Sequence, residues 1–195
     1  MFLFFKKWPF IGSLSEKFTN GSYRHLCGVS LISETTLLTA AHCIFQYDFE
    51  SYNLVVILGT SDLTILDNPN TLILQVYDID IHPSYEQNSY NDIGIIYVEN
   101  KIVFSNYISP ICIPNTPFTD VDAYKDLAVY VGGFGSKSAY ERKSTNLIVD
   151  LIQIFPKSYC DKSHDIKGGL LGTKREKAIP HLFQDSLICA GRAYG

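Results

Sequence analysis

The hexapeptide Leu38-Thr39-Ala40-Ala41-His42-Cys43 constrains this chain more than any other stretch. An apolar, strand-like run over residues 29–38 leads into it, and a histidine stands beside a cysteine at its end. Fifteen residues before His42 lies Cys27, in Cys27-Gly28-Val29-Ser30-Leu31-Ile32. A disulfide between Cys27 and Cys43 would close a loop around the histidine and stabilise by roughly 3 kcal/mol in a chain-entropy account. A lone histidine is ordinarily half-buried and bonded to its own loop. Here the bracketing cysteines read as a device for holding one imidazole in place.

Taken together, Cys-Gly-x-Ser-Leu-Ile and Leu-Thr-Ala-Ala-His-Cys resemble the histidine box of the trypsin-like (chymotrypsin-fold) serine proteases. A match at about ten positions is far more specific than a short motif. The resemblance implies an all-β fold of two Greek-key antiparallel β-barrels. It implies a partial peptidase domain over residues 8–195, with the first barrel and the start of a linker over 8–112. The second barrel, over 113–195, is expected to be incomplete within these residues.

Composition agrees with a β-rich globular protein. The 195 residues suffice for one domain or two small barrels, and 46% are apolar against 18% charged, which argues against disorder. A net charge of −4 without any block of like charges makes nucleic acid and acidic membrane surfaces poor partners. No apolar run reaches transmembrane length. The five cysteines lack C-x-x-C spacing, so they read as disulfide partners in an oxidising compartment and not as zinc ligands. No cofactor or metal is called for. The acidic residues Asp62, Asp67, Asp78 and Asp80 lack EF-hand spacing and read as solvated surface. Met1 to Phe5 is only a short apolar patch with its lysines behind it, unlike a secretory signal. Secreted-type cysteines without a secretory address give the expectation that the true N-terminus lies upstream.

Along the chain, Trp8-Pro9-Phe10-Ile11-Gly12-Ser13-Leu14 reads as an extended segment. In the family a similar stretch opens the mature domain, after an Ile-Val-Gly-Gly type terminus that does not occur here. Asn20-Gly21 is a hairpin signal, and Asn20-Gly21-Ser22 is also a glycosylation acceptor pattern, with the turn the reading taken for it. Residues 44–52 read as a short helical or irregular loop. Residues 53–59, 71–81 and 147–155 read as strands.

Tyr90-Asn91-Asp92-Ile93-Gly94-Ile95-Ile96-Tyr97-Val98 resembles the family's aspartate box, whose common form is Asn-Asp-Ile-Ala-Leu-Leu; Gly94 departs from it. A carboxylate at the mouth of a strand can simply cap a turn. A catalytic histidine, however, needs a carboxylate on its second nitrogen to fix the tautomer and stabilise the imidazolium. His42 followed by Asp92 keeps the family's chain order. The resemblance therefore assigns His42 and Asp92 as catalytic residues. His82, in the His-Pro-x-Tyr approach to this box, reads as a loop residue.

Ile108-Ser109-Pro110-Ile111-Cys112-Ile113-Pro114 resembles the segment linking the two barrels. A cysteine there usually bonds one in a propeptide or light chain, which makes such a segment a possible partner through Cys112; the alternative is a free thiol. Val129-Tyr130-Val131-Gly132-Gly133-Phe134-Gly135 resembles the strand opening the second barrel, with Phe134 in place of the usual Trp. Ser158-Tyr159-Cys160 and Leu187-Ile188-Cys189-Ala190-Gly191 match the family's next cysteine pair, which implies Cys160–Cys189. Residues 161–186 form an insertion that reads as solvated, or as a partner-binding loop.

In the family, Ile-Cys-Ala-Gly is followed by Gly-Asp-Ser-Gly-Gly-Pro, which supplies the nucleophile and the oxyanion hole. No serine among residues 1–195 has that context; Ser136, Ser138 and Ser186 lie in unrelated segments. Removing the serine alone costs on the order of a millionfold in turnover. The expectation is a secreted trypsin-like endopeptidase acting on protein or peptide substrates, represented here by a fragment that hydrolyses nothing alone. The competing readings are a truncated pseudoprotease that acts by binding and, with less support, a non-proteolytic β-barrel ligand binder.

Overall fold

A computed structural model of the chain describes residues 8–47, 53–86, 91–115, 121–136, 144–160 and 188–192. The described residues are nearly all β. Two compact units divide the chain, one of residues 1–113 with 132–148 and the other of 114–131 with 149–195.

Six strands of the first unit form a closed barrel: β1 (Ile11–Lys17), β2 (Tyr23–Leu31), β3 (Thr36–Thr39), β4 (Leu54–Leu58), β5 (Leu72–Ile81) and β6 (Gly94–Val98). Around the barrel they run β1-β2-β3-β6-β5-β4, all pairs antiparallel. β1 also pairs β4, from Ser13↔Ile57 to Glu16↔Leu54, which shuts the barrel and leaves it no open edge. The β4 sequence Leu-Val-Val-Ile-Leu is buried at all five positions, as a β-branched apolar run demands. β6 alternates instead, burying Gly94, Ile96 and Val98. Leu14, Leu31, Leu37, Val56, Leu58 and Ile96 meet in the interior, fully out of water. Each such side chain contributes about 1.5–3 kcal/mol of burial against the entropy of ordering the chain.

Local chemistry sets the connections. The Phe18 carbonyl accepts from Gly21 N–H at 2.9 Å, and Phe18 N–H donates to Ser22 O at 2.9 Å. Gly21 takes φ +81°, so a three-residue loop with a left-handed glycine joins β1 to β2. The hairpin forms where Asn20-Gly21 signals it, but Asn20 does not take positive φ. The run over residues 29–38 is two strands and not one. A turn divides it, with Ser33 Oγ accepting from Thr35 N–H at 3.3 Å and Ile32 N–H donating to Thr36 O at 3.0 Å. Between β1 and β2 the register shifts at Leu14/Ser15, leaving Leu26 as the extra residue of a β-bulge. That bulge puts His25 opposite Ser15, and the buried Ser13 Oγ lies 2.6 Å from His25 Nδ1.

A second sheet runs in the order β7 (Ala128–Gly133), β8 (Ile148–Ile154) and β9 (Ala190–Gly191). β8 and β9 are antiparallel, with Gln153 opposite Gly191 and Ile154 opposite Ala190. A disulfide joins Cys160 to Cys189, and Phe155 N–H donates to Cys189 O at 2.8 Å.

Candidate active site

The antiparallel register of β3 and β6 decides which residues meet at one rim of the barrel. Thr39 pairs with Gly94, so residues just past Thr39 and just before Gly94 emerge at the same end. After β3 the chain enters a single 3-10 turn, Ala41–Cys43, closed by Cys43 N–H to Ala40 O at 3.1 Å and Ile44 N–H to Ala41 O at 3.0 Å. The turn buries Ala41 and Cys43 and leaves His42 facing outward. Cys43 is bonded to Cys27 of β2, and Thr39 Oγ1 donates to Gly28 O at 3.0 Å, so β2 holds the turn twice.

Asp92 comes from the other side of the seam. Asn91 before it is left-handed, at φ 54°, a conformation that asparagine tolerates better than most residues. Its Nδ2 donates to Ser84 O at 2.8 Å, and its carbonyl accepts from Ile93 N–H at 2.7 Å. Gly94 matters through what it lacks. A Cβ there would stand 2.5 Å from Ile44 Cδ1 and 3.2 Å from Asp80 O, so the fully buried Ile44 occupies the space a side chain would need.

The two side chains are in contact. Asp92 Oδ2 lies 2.8 Å from His42 Nδ1, and Asp92 Oδ1 accepts from the backbone N–H of His42, also at 2.8 Å. One carboxylate thus grips both the ring and the backbone of the same residue. Burial acts to raise the Asp92 pKa. The hydrogen bonds from the His42 ring and N–H, the charge of the imidazole and the Ala41 N–H together outweigh it and hold the carboxyl below its usual value. An ionised carboxylate only accepts hydrogen bonds, so the proton of a neutral imidazole sits on Nδ1. That leaves the lone pair on Nε2 for proton exchange. Nε2 lies 3.3 Å from Cys43 Sγ and borders a cleft of about 400 Å³ lined by Arg24, His25, Leu26, Cys27, Gln46 and Tyr47.

Other candidates carry less chemistry. The donor atoms of Cys27, His42 and Cys43 cluster within 4.8 Å, but the two sulfurs are bonded to each other and offer no thiolate to a metal. A larger hollow of about 600 Å³, lined by Tyr77, Asp78, Asp80, Tyr97 and Glu99, is open and lies away from the His42–Asp92 pair. His82 Nδ1 accepts from Ser84 N–H at 3.1 Å within its own loop. Cys112 is a free, exposed thiol, and Ser136 is exposed just past β7. Ser138, Ser186 and the 161–186 insertion lie outside the described residues. Sequence reasoning gave no role to Asn91 or Ile44. Asparagine's tolerance of left-handed backbone was a signal for the first, whereas nothing local points to the second.

Residues 5–195 match the trypsin family model. The beta subunit of clotting factor G from Tachypleus tridentatus is 29% identical over 189 residues, covering 94% of this chain and 56% of that protein. The chain therefore spans about half the length of that curated relative. Among solved structures, neuropsin, a serine protease expressed in the limbic system of mouse brain, superposes with a TM-score of 0.71 at 20% identity. That match covers 97% of this chain and 72% of neuropsin, and it shows the chymotrypsin-type fold. The chain belongs to the trypsin family.

Proposed function

We propose that the protein is a serine-type endopeptidase domain in which His42 is general base and then general acid, and Asp92 orients it. The observation that carries this reading is the double grip of Asp92 on His42 Nδ1 and N–H in a member of the trypsin family. In the proposed cycle His42 Nε2 takes the proton of an attacking serine hydroxyl as its oxygen bonds the scissile carbonyl carbon. His42 then returns the proton to the departing amine, leaving an acyl-enzyme. Asp92 stays ionised and stabilises the imidazolium. Water repeats the sequence to release the acid. Residues 8–112 and 113–195 are proposed as parts of the two barrels of one peptidase domain. Protein or peptide substrates and a secreted location follow from the family and the two disulfides. Cys112 is proposed as the attachment point of a propeptide or light-chain cysteine, supported by its exposure as a free thiol.

No serine of residues 1–195 stands in a Gly-Asp-Ser-Gly context. A polypeptide of these residues is therefore proposed to be inactive alone. The competing proposal is a catalytically dead relative that works by binding.

Intact mass and C-terminal sequencing of the native protein, with labelling by a serine-directed phosphonate, separate the two. The endopeptidase reading expects a labelled native protein whose labelling is lost in His42→Ala, and an unlabelled 195-residue polypeptide that cleaves no chromogenic peptide. A native protein without a reactive serine would establish the binding reading instead. Peptide cleavage by the 195-residue polypeptide, abolished by His42→Ala, would refute its inactivity.

A further inference from the structure

We propose that Asn20 is an N-glycosylation site that carries an oligosaccharide on its Nδ2, an inference that rests on the secreted reading above. Asn20-Gly21-Ser22 is the only Asn-x-Ser/Thr triplet with a permitted middle residue in the 195-residue sequence. The fold places it at the tip of the β1–β2 hairpin, with Asn20, Gly21 and Ser22 all exposed. No heavy atom lies within 4 Å of where a Cβ on Gly21 would stand, so the turn projects into open space.

The side-chain geometry suits an acceptor. Asn20 Oδ1 accepts from Ser22 N–H at 3.0 Å and from the Ser22 hydroxyl at 2.7 Å. Both bonds draw on the amide oxygen and leave Nδ2, the atom to be modified, without a hydrogen bond to any described residue. A bulky substituent on Nδ2 would therefore displace no packed group, and Lys17 and Phe18 beside it are exposed as well. The donor class is a polyprenyl-diphosphate-linked oligosaccharide. Nδ2 bonds the anomeric carbon, the carbon–oxygen bond to the diphosphate breaks with its electron pair leaving on the diphosphate, and the amide proton passes to a base of the transferase.

The turn forms with or without a sugar, so occupancy decides. The full chain, with a cleavable signal sequence appended, is translated in the presence of microsomes. The expected result is one slower-migrating species that reverts on treatment with peptide N-glycosidase. Asn20→Gln and Ser22→Ala should each abolish the shift, and Ser22→Thr should keep it. Transfer acts on the emerging chain, so the result does not depend on the variants folding. Peptide mapping of the native protein should then find residue 20 glycosylated and converted to Asp on enzymatic release. No shift in microsomes overturns Asn20 as an acceptor and leaves the compartment untouched. A shift in microsomes with an unmodified native residue 20 overturns the proposal through the compartment, and the secreted reading falls with it.

Discussion

Gly94 and Ile44 share one volume at the rim of the barrel. Ile44 follows the 3-10 turn that carries His42, and Gly94 stands two residues after Asp92, so their packing links the His42 and Asp92 segments. Gly94→Ala is expected to cost about 1–3 kcal/mol, the usual range for overpacking a filled site. The denaturant midpoint of the variant checks this, and Ile44→Val in the same chain should recover part of the loss. An unchanged midpoint would mean that Ile44 moves aside freely. At this scale the pairing of His42 with Asp92 was legible because an imidazole in such a site calls for a carboxylate and the family resemblance supplied the order. The departure at Gly94 was legible too, but its reason lay fifty residues away in another segment and needed the fold. Asn91 was visible as one letter of a motif. Its left-handed backbone, which aims Asp92 across the seam, was not.

Among the elements, the disulfide Cys27–Cys43 and the Thr39 hydrogen bond tie the His42 turn to β2. The bridge spans a sequence separation of 16. Its removal in a Cys27→Ala, Cys43→Ala double variant is expected to lower stability by about 3 kcal/mol, on the loop-entropy account. Urea unfolding followed by circular dichroism would measure it; a midpoint equal to that of the parent would refute the expectation. Strands β4, β5 and β8 could be read to within a residue or two, because dense β-branched runs leave little choice. The division between β2 and β3 was missed. Ile32 and Leu37 make residues 29–38 look continuous, although Ser33, Glu34 and Thr35 hold the turn between them. The bulge at Leu26 had no local signature at all, since it exists only in the register between two strands.

For the molecule as a whole, the two units differ in how well they hide apolar surface. The first closes its barrel around a cluster of buried apolar side chains. In the second, Leu127, Tyr130, Val131 and Leu151 each remain about half exposed, at 49%, 53%, 50% and 51%. Exposed apolar strands recruit other chains. A polypeptide of residues 1–195 is therefore expected to self-associate and to bind a hydrophobic dye. Sedimentation velocity at rising concentration tests this, and a concentration-independent monomer that unfolds in one sharp transition would contradict it.

The order of strands around the barrel carries a further consequence. β6 is the last of the six to be synthesised, yet its place lies between β3 and β5. Until it arrives, β3 and β5 each lack the strand that pairs between them. Asp92 stands two residues before β6, so it reaches His42 with the strand that pairs between β3 and β5. A nascent chain that has not yet reached residue 92 holds His42 without that carboxylate. Ribosomal order thus makes the His42–Asp92 contact a product of the completed barrel, withheld from the chain until the barrel's last strand is made.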